Sequence, residues 1–549
     1  MLDLVIDGEK YSFPKGMELS EIFSKTDLPN NRFVAAVVEN ELVRLNFIPE
    51  DDIEIKSISR GEELGNRIYR RSLFLLLAKA VYELFPDSRL KIEHSLSNGI
   101  YCEIFKGKPL TRHDLKKLKI RMSKYVEKDI EIKKELMDKN ELIEIYQDQG
   151  FQDKIDILSE KPDGEKVEVY NLDGYYDYFY YELLPSTRYL DKFDLHYSLP
   201  GFVLLFPQQI DSGKVPEFVD SPKLANIFID YERLGEIIGV GYVNDLNNII
   251  REDDGEELIR ISEAIHEKNI TKIADNIYDE IDTRRVILIA GPSSSGKTTF
   301  SHRLATHLRI DGLKPVNISI DDYFVNRDET PLDKDGNLDF EALEAIDLEL
   351  FNDHLLRLLQ GERVELPEYN FETGKREYNG NYLQIEDDQP ILIEGIHGLN
   401  ERLTEVIPKN HKYKIYVSAL TQLNMDYHNR IPTSDTRFIR RIVRDHKYRG
   451  HDAETTIDWW PKVRKGEEKN IFPYQENADV IFNSALIYEL AVLKKHLIPL
   501  LDRIDKSSPA YYEAVRLKEL VEPIVPMPEL TIPPISVLRE FIGGNSYRR

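Results

Sequence analysis

Residues 286–299 read Val-Ile-Leu-Ile-Ala-Gly-Pro-Ser-Ser-Ser-Gly-Lys-Thr-Thr, an apolar strand-like run opening into G-x-x-x-x-G-K-[ST] with Gly291, Gly296, Lys297 and Thr298 in the fixed places. Gly291 and Gly296 let the backbone curl so that successive N–H groups point at an anion, Lys297 can reach β- and γ-phosphates, and the Thr298 hydroxyl can ligate Mg²⁺. Gly291, Pro292, Ser293, Ser294, Ser295, Gly296, Lys297, Thr298 and Thr299 are therefore expected to hold a nucleotide, ATP or GTP, with Mg²⁺. The residues that follow supply a helix whose N-terminus faces the phosphates. A Gly/Ser-rich surface turn would use the same letters, but it needs neither a buried strand before it nor a helix after it.

Around this loop the bulk composition sets limits. At 549 residues the chain calls for several domains, and 41% hydrophobic with 31% charged residues is the balance of a globular protein with no apolar run long enough for a bilayer. The N-terminus alternates and carries acid early, unlike a signal peptide, so a cytoplasmic location is expected and no membrane partner. Cys102 is the only cysteine, which excludes an intrachain disulfide and a cysteine-based zinc site. A net charge of -25 argues against non-specific nucleic-acid binding by the chain as a whole.

Patterning along the chain gives an α/β fold class and five segments. Residues 1–61 alternate as short strands and read as a small β-rich module; 62–215 mix strands with amphipathic helices at Ile68 to Leu84 and Leu110 to Val126; 216–283 read as a helical connector. From 284 to 506 strands alternate with helices, which predicts a parallel sheet wrapped by helices. Residues 507–549 form a Pro-rich tail whose Leu538, Phe541 and Ile542 have apolar surface enough to dock on a domain.

Phosphoryl transfer needs a base for the acceptor proton, a second metal-side carboxylate and cations for the migrating charge. Asp321-Asp322 follows the strand ending at Ile320, and Glu394 ends the strand 390–393, which places these acids at carboxyl ends of strands, where open parallel sheets bind ligands. Acids that merely begin loops are the plainer reading, and it suits Asp322 best. Arg437, Arg440, Arg441 and Arg444 recur at i, i+3, i+4 and i+7, one helix face. Either acidic neighbours neutralise that face or it clamps a triphosphate, with Arg449 and the stretch Lys462 to Lys469 as a lid; the clamp is the expectation.

Residues 286 to about 500 resemble the uridine kinase and phosphoribulokinase family, uridine-cytidine kinases most closely. The phosphate loop carries the resemblance together with Asp321, Asn337-Leu338-Asp339, Pro367-Glu368-Tyr369-Asn370-Phe371, Glu394-Gly395-Ile396, the Thr-Arg-x-x-Arg-Arg-x-x-Arg-Asp helix and Ala478-Asp479-Val480-Ile481. The resemblance implies a P-loop NTPase sheet, Asp321 as base toward a 5′-hydroxyl, Asp339 on the ribose, Tyr369 and Phe371 sandwiching the base, and Glu394 at the metal. It also implies Arg441, Arg444 and Arg449 on the transferring phosphoryl group, with Lys297 completing the catalytic set. Three family positions differ: a histidine is Gly374, an arginine is His451 and a glutamine is Trp459. Their loss opens the acceptor's identity.

Residues 1 to about 210 resemble the N-terminal region of threonyl-tRNA synthetases, a TGS-type β-grasp (ubiquitin-like) module followed by the α+β domain that edits mischarged tRNA. Leu76 to Asp87, Asn98 to Tyr101 and Pro185-Ser186-Thr187 carry it. The family's editing pairs H-x-x-x-H and C-x-x-x-H fall on Arg71, Leu75, Phe179 and Leu183. No editing hydrolysis is expected from those side chains. The run Tyr175 to Tyr181 either stacks bases or fills the vacated pocket, and packing is favoured because Lys and Arg are absent from it. Lys116, Lys117, Lys119, Arg121 and Lys124 crowd one helix as an RNA candidate or a solvated face.

The leading expectation is an ATP-dependent kinase that phosphorylates the 5′-hydroxyl of a nucleoside-type small-molecule substrate. A non-nucleoside hydroxyl acceptor is the alternative within that class. A nucleotide-gated RNA- or ribosome-associated regulator, contacting its partner through the N-terminal half, is the alternative outside it, and an oligomer is compatible with either.

Overall fold

The strand Val286–Ala290 is buried along its whole length and is the central member of a five-stranded parallel sheet. This computed structural model describes residues 1–28, 33–162, 164–208, 213–253, 255–333 and 336–547. Across the sheet the order is Val316–Ser319, Ile391–Glu394, Val286–Ala290, Lys412–Ser418, Val480–Asn483, and every pairing is parallel. Strands covered on both faces are continuous apolar runs, as Val-Ile-Leu-Ile-Ala is. The register sets Ile289 opposite Glu394, and the phosphate loop therefore leaves the sheet beside that carboxylate.

The helix Glu256–Glu280 lies within residues 216–283, yet it is part of the same core. Its Ile270, Ile273, Ala274 and Ile277 pack with Ile287, Phe300 and Leu304, and its Glu267 accepts from Arg303 at 2.6 Å. The stretch expected as a connector thus supplies a layer of the kinase half, because its apolar stripe covers one face of the sheet.

In the N-terminal half a mixed five-stranded sheet carries the helix Leu19–Ser24, with Leu2–Ile6 parallel to Glu54–Ser59 at its centre. A four-stranded antiparallel sheet and a three-stranded one follow, packed on the long helix Glu63–Leu84. The basic helix runs from Arg112 to Lys128 and begins in a capping box formed by Thr111 and Asp114. Lys119 pairs with Asp194 and Arg121 with Glu83, so part of its charge is spent locally. Tyr175, Phe179 and Tyr180 are buried, as are Leu75 and Leu183. Tyr175 and Phe179 thus pack in one core with Leu75 and Leu183, two of the positions where the synthetases carry their editing residues.

No helix among the described residues is long and apolar enough to cross a membrane.

Candidate active site

The loop Gly291 to Thr298 is shaped by contacts that leave its cradle open. A Cβ on Gly291 would lie 2.0 Å from the Val417 carbonyl oxygen, so only glycine fits against the neighbouring strand. Ser294 (φ +58°) and Gly296 (φ +83°) both take left-handed backbone, the geometry that turns consecutive N–H groups inward. Buried Ser294 and Ser295 hydroxyls have no hydrogen-bond partner among the described residues. Lys297 Nζ lies across the mouth of the loop and donates to the Gly291 and Pro292 carbonyls at 3.0 and 3.3 Å. Phosphate oxygens are stronger acceptors for that ammonium than these carbonyls.

The helix Lys297–Ile310 begins at Gly296, and Thr298 Oγ1 donates to Glu394 Oε1 at 3.1 Å. The other oxygen, Glu394 Oε2, is buried with no partner. Burial raises the Glu394 pKa to about 7; Asp321 and Glu540 add to the rise, while Lys297 opposes it. A hydroxyl beside an unsatisfied carboxylate oxygen is an all-oxygen donor set that fits Mg²⁺. Asp321 lies in the single turn Ile320–Tyr323 at the carboxyl end of its strand and is exposed. Asp322 turns inward, where burial raises its pKa to about 6 and the Tyr369 backbone N–H binds it.

The arginine helix spans Thr433–Tyr448. Its four-arginine face does two jobs, not one. Arg437 is bidentate to buried Glu467 and donates to the Ser293 carbonyl at 3.0 Å, while Arg440 donates to Glu489 at 2.6 Å and to the Ser294 carbonyl at 3.3 Å. Both brace the loop from outside, which corrects the expectation that all four clamp a triphosphate. Arg441 donates to Ser293 Oγ at 2.8 Å. Asp445 gathers Arg441, Arg444 and Arg449 at 3.2, 2.7 and 3.7 Å. Three guanidiniums thus share one carboxylate at that end of the helix. The stretch Lys462 to Lys469, expected as part of a lid, lies in the helix Ala453–Asn470, where Glu467 accepts from the Ser293 N–H and Trp460 stacks 4.7 Å from Phe438.

These placements meet one set of sequence relatives. Residues 286–490 match the model of the Phosphoribulokinase / Uridine kinase family. The half that carries the loop is thus a phosphotransferase domain of that kind. Threonine–tRNA ligases match the N-terminal region: that of Alkalilimnicola ehrlichii is 30% identical over 162 residues, covering 30% of this chain and 25% of its own. The ligase of Caldanaerobacter subterraneus subsp. tengcongensis is 29% identical over 182 residues, 33% of this chain and 28% of its own. The chain therefore spans only about a quarter of the length of these curated relatives. Among solved structures, a Bacillus stearothermophilus protein described as a possible uridine kinase overlaps 38% of this chain and 100% of its own at 22% identity, TM-score 0.25. A D-glycerate 3-kinase of Cryptococcus neoformans overlaps 36% and 87% at 13% identity, TM-score 0.28. The chain fuses a synthetase-like region to a kinase domain.

In the kinase domain the acceptor side differs from the expected sandwich. Tyr369 is buried against Phe324, and Phe371, 62% exposed, meets it edge-to-face at 5.1 Å and 76°. Perpendicular rings in contact leave no slot for a base between them; Phe371 alone offers a free face. At Gly374 (φ +68°) a Cβ would lie 2.6 Å from Arg327 Nε, so Arg327 takes the space beside the position where the related kinases carry histidine. Asp339 accepts from the Glu341 N–H at 3.2 Å and faces Lys469 at 3.7 Å.

Several residues enter the site that sequence reading does not single out. Glu341 sits in the field of Glu467, Arg441, Asp321 and Lys297, and burial raises its pKa to about 7. Glu467 and Arg327 carry no motif of their own, and Asp445, the last residue of the arginine-helix motif, gains its role from the three arginines it gathers. From the tail, Glu540 accepts from Thr299 Oγ1 at 2.8 Å and Thr299 N–H at 3.3 Å, Asn545 donates to the same hydroxyl at 3.2 Å, and Val537 packs on Gly296. Leu538, Phe541 and Ile542 are buried. The apolar spacing of that tail was the one signal of this contact.

Proposed function

We propose that this chain transfers the γ-phosphoryl group of ATP to a hydroxyl of a small molecule, a nucleoside 5′-hydroxyl in the leading reading. The observation that carries the reading is the convergence on one loop of Lys297, the Thr298–Glu394 pair and Arg441, which Asp445 holds and which donates to Ser293 Oγ. The loop N–H groups and Lys297 hold and orient the phosphates. Asp321, at the cleft end of its strand, accepts the proton of the attacking hydroxyl. Arg441 and Arg444 compensate the charge that spreads over the migrating group. Thr298 and Glu394 would hold Mg²⁺, which when bound neutralises phosphate charge.

A second reading, a non-nucleoside acceptor, draws on Gly374 and Arg327. A cation beside the place of a base-recognising histidine suits an acceptor with an anionic group. Coupled ADP release measured over nucleosides, sugars and sugar phosphates separates the two, with Arg327→Ala as the companion variant. Turnover with nucleosides that survives Arg327→Ala supports the first; turnover with a sugar phosphate that collapses in Arg327→Ala supports the second. Release stimulated by none of these acceptors overturns both.

A further inference from the structure

A cavity of about 560 Å³ opens at the seam between the synthetase-like half and the kinase domain, and no residue of the phosphate loop lines it. Its walls come from the strand Arg89–Leu96, the helix Pro222–Ile238 and the segment from Thr421 to Arg430. The Ile92 N–H donates to the Tyr427 carbonyl at 2.8 Å, which ties the strand to that segment. Small-molecule sites favour such junctions, with volumes of about 300–1,000 Å³.

The charge around the cavity is unbalanced. Arg89, Lys91 and Arg430 stand against Glu93, Glu232, Glu236 and Asp245, and Glu103 adjoins Glu93 and Glu232, three positive charges against five negative. Carboxylate oxygens of Glu93, Glu103 and Glu232 lie within 4.8 Å of one another, with Lys91 paired to Glu93 at 2.9 Å and to Glu232. Burial and then Glu93 raise the Glu232 pKa, and burial with Glu93 and Glu232 raises that of Glu103 to about 7. A bare metal ion would be set against the Lys91 ammonium already among these acids. An organic ammonium can instead meet Glu232 and Glu236, one helical turn apart on the cavity wall, and the rings of Tyr242 and Tyr427, 4.8 Å from each other.

Beside this cavity lies a smaller one of about 30 Å³, and Tyr231, Thr421, Gln422, Leu423 and Ile487 wall both. Gln422 Nε2, Ser262 Oγ and His266 Nδ1, from residues that line it, are sealed from solvent with no hydrogen-bond partner among the described residues. Ser262 and His266 are only 5% and 1% exposed, so water outside the protein does not satisfy them. Gln422 Oε1 accepts from Asn483 at 3.2 Å, which leaves its NH₂ group to donate. His266 Nε2 lies 3.1 Å from the Ala485 carbonyl, which only accepts; Nε2 therefore carries the proton and Nδ1 is an acceptor, in a ring whose pKa burial lowers to about 3. A ligand hydroxyl, which donates and accepts at once, matches this set.

We propose that the seam cavity binds a small amino alcohol, with its ammonium against Glu232 and Glu236 and a hydroxyl directed to Gln422, Ser262 and His266. The site is separate from that of phosphoryl transfer, since neither the phosphate loop nor Phe371 lines either cavity.

Isothermal titration of the full-length protein, without nucleotide, with ethanolamine and with glucosamine tests this. Both are expected to bind, and their N-acetylated forms, which keep the hydroxyl and lose the charge, to bind at least tenfold more weakly. Glu232→Gln should weaken binding of both amines at least tenfold, and Ser262→Ala several-fold. The Ser262 hydroxyl has no partner to lose, so Ser262→Ala is expected to melt with its parent and decides the matter if Glu232→Gln does not fold. No binding of either amine, equal affinity for the N-acetylated forms, or affinity unchanged in Ser262→Ala overturns the proposal. Mg²⁺ that binds where the amines do not, with its heat lost in Glu232→Gln, overturns it in favour of a metal site.

Discussion

Burial shifts the protonation equilibrium of Glu394. Its folded pKa of about 7 lies above the ordinary carboxylate value, so the folded protein binds the extra proton between the two. The stability this lends is full at low pH and is lost as pH rises through about 7, where the buried carboxylate ionises unless a cation faces it. Mg²⁺ should therefore raise the melting temperature more at pH 8 than at pH 6; an equal rise at both would remove Glu394 from the metal site. Asp321→Asn should lower kcat by about 10²- to 10⁴-fold while ATP binding, followed by titration, stays within a few-fold. Near-normal turnover in that variant would move the base elsewhere. At this scale the sequence discloses residues whose spacing is fixed by the loop itself, from Gly291 to Thr299. Glu341 and Arg327 stay hidden because their roles arise from chain segments that meet only in the folded molecule.

Among the elements, the arginine helix shows how far periodicity reads. The spacing of Arg437, Arg440, Arg441 and Arg444 announces a helix face, yet the partners that divide it, Glu467 and Glu489, lie far along the chain. Glu467→Gln leaves Arg437 and Arg464 without their buried counter-charge and should cost about 3–5 kcal/mol in urea unfolding. An unchanged midpoint would mean that the helix Ala453–Asn470 does not brace the loop. The tail is read correctly as apolar by its pattern, but its carboxylate is not foreseen. Glu540 occupies the Thr299 N–H at the start of the phosphate-loop helix, a position where negative charge is favoured. It competes there with phosphate, and Glu540→Gln should lower KM for ATP several-fold in initial-rate assays. A higher KM would show instead that Glu540 helps to hold the nucleotide.

Over the whole molecule the two halves share charged interior. Lys154 bridges Asp177 at 2.7 Å and Asp426 at 3.1 Å, and His428 Nδ1 lies 2.7 Å from Asp177. Lys154→Met strands two buried carboxylates and should destabilise the chain by about 3–5 kcal/mol, with both halves unfolding in one transition; two separate transitions in the parent protein would show that the halves fold independently. Alternation of strand and helix discloses the parallel sheet, and the motifs disclose both relatives. The seam stays illegible, because its pairs join positions hundreds of residues apart and no local pattern encodes them. What unites the scales is transfer of a phosphoryl group from the loop at Gly291 to a hydroxyl. The direct test is to follow the label of γ-³²P-ATP in full-length protein and in Asp321→Asn over a panel of nucleosides, sugars and sugar phosphates. Label recovered in an organic phosphate ester, and lost in Asp321→Asn, is the predicted result; label found only in inorganic phosphate with every acceptor would contradict it.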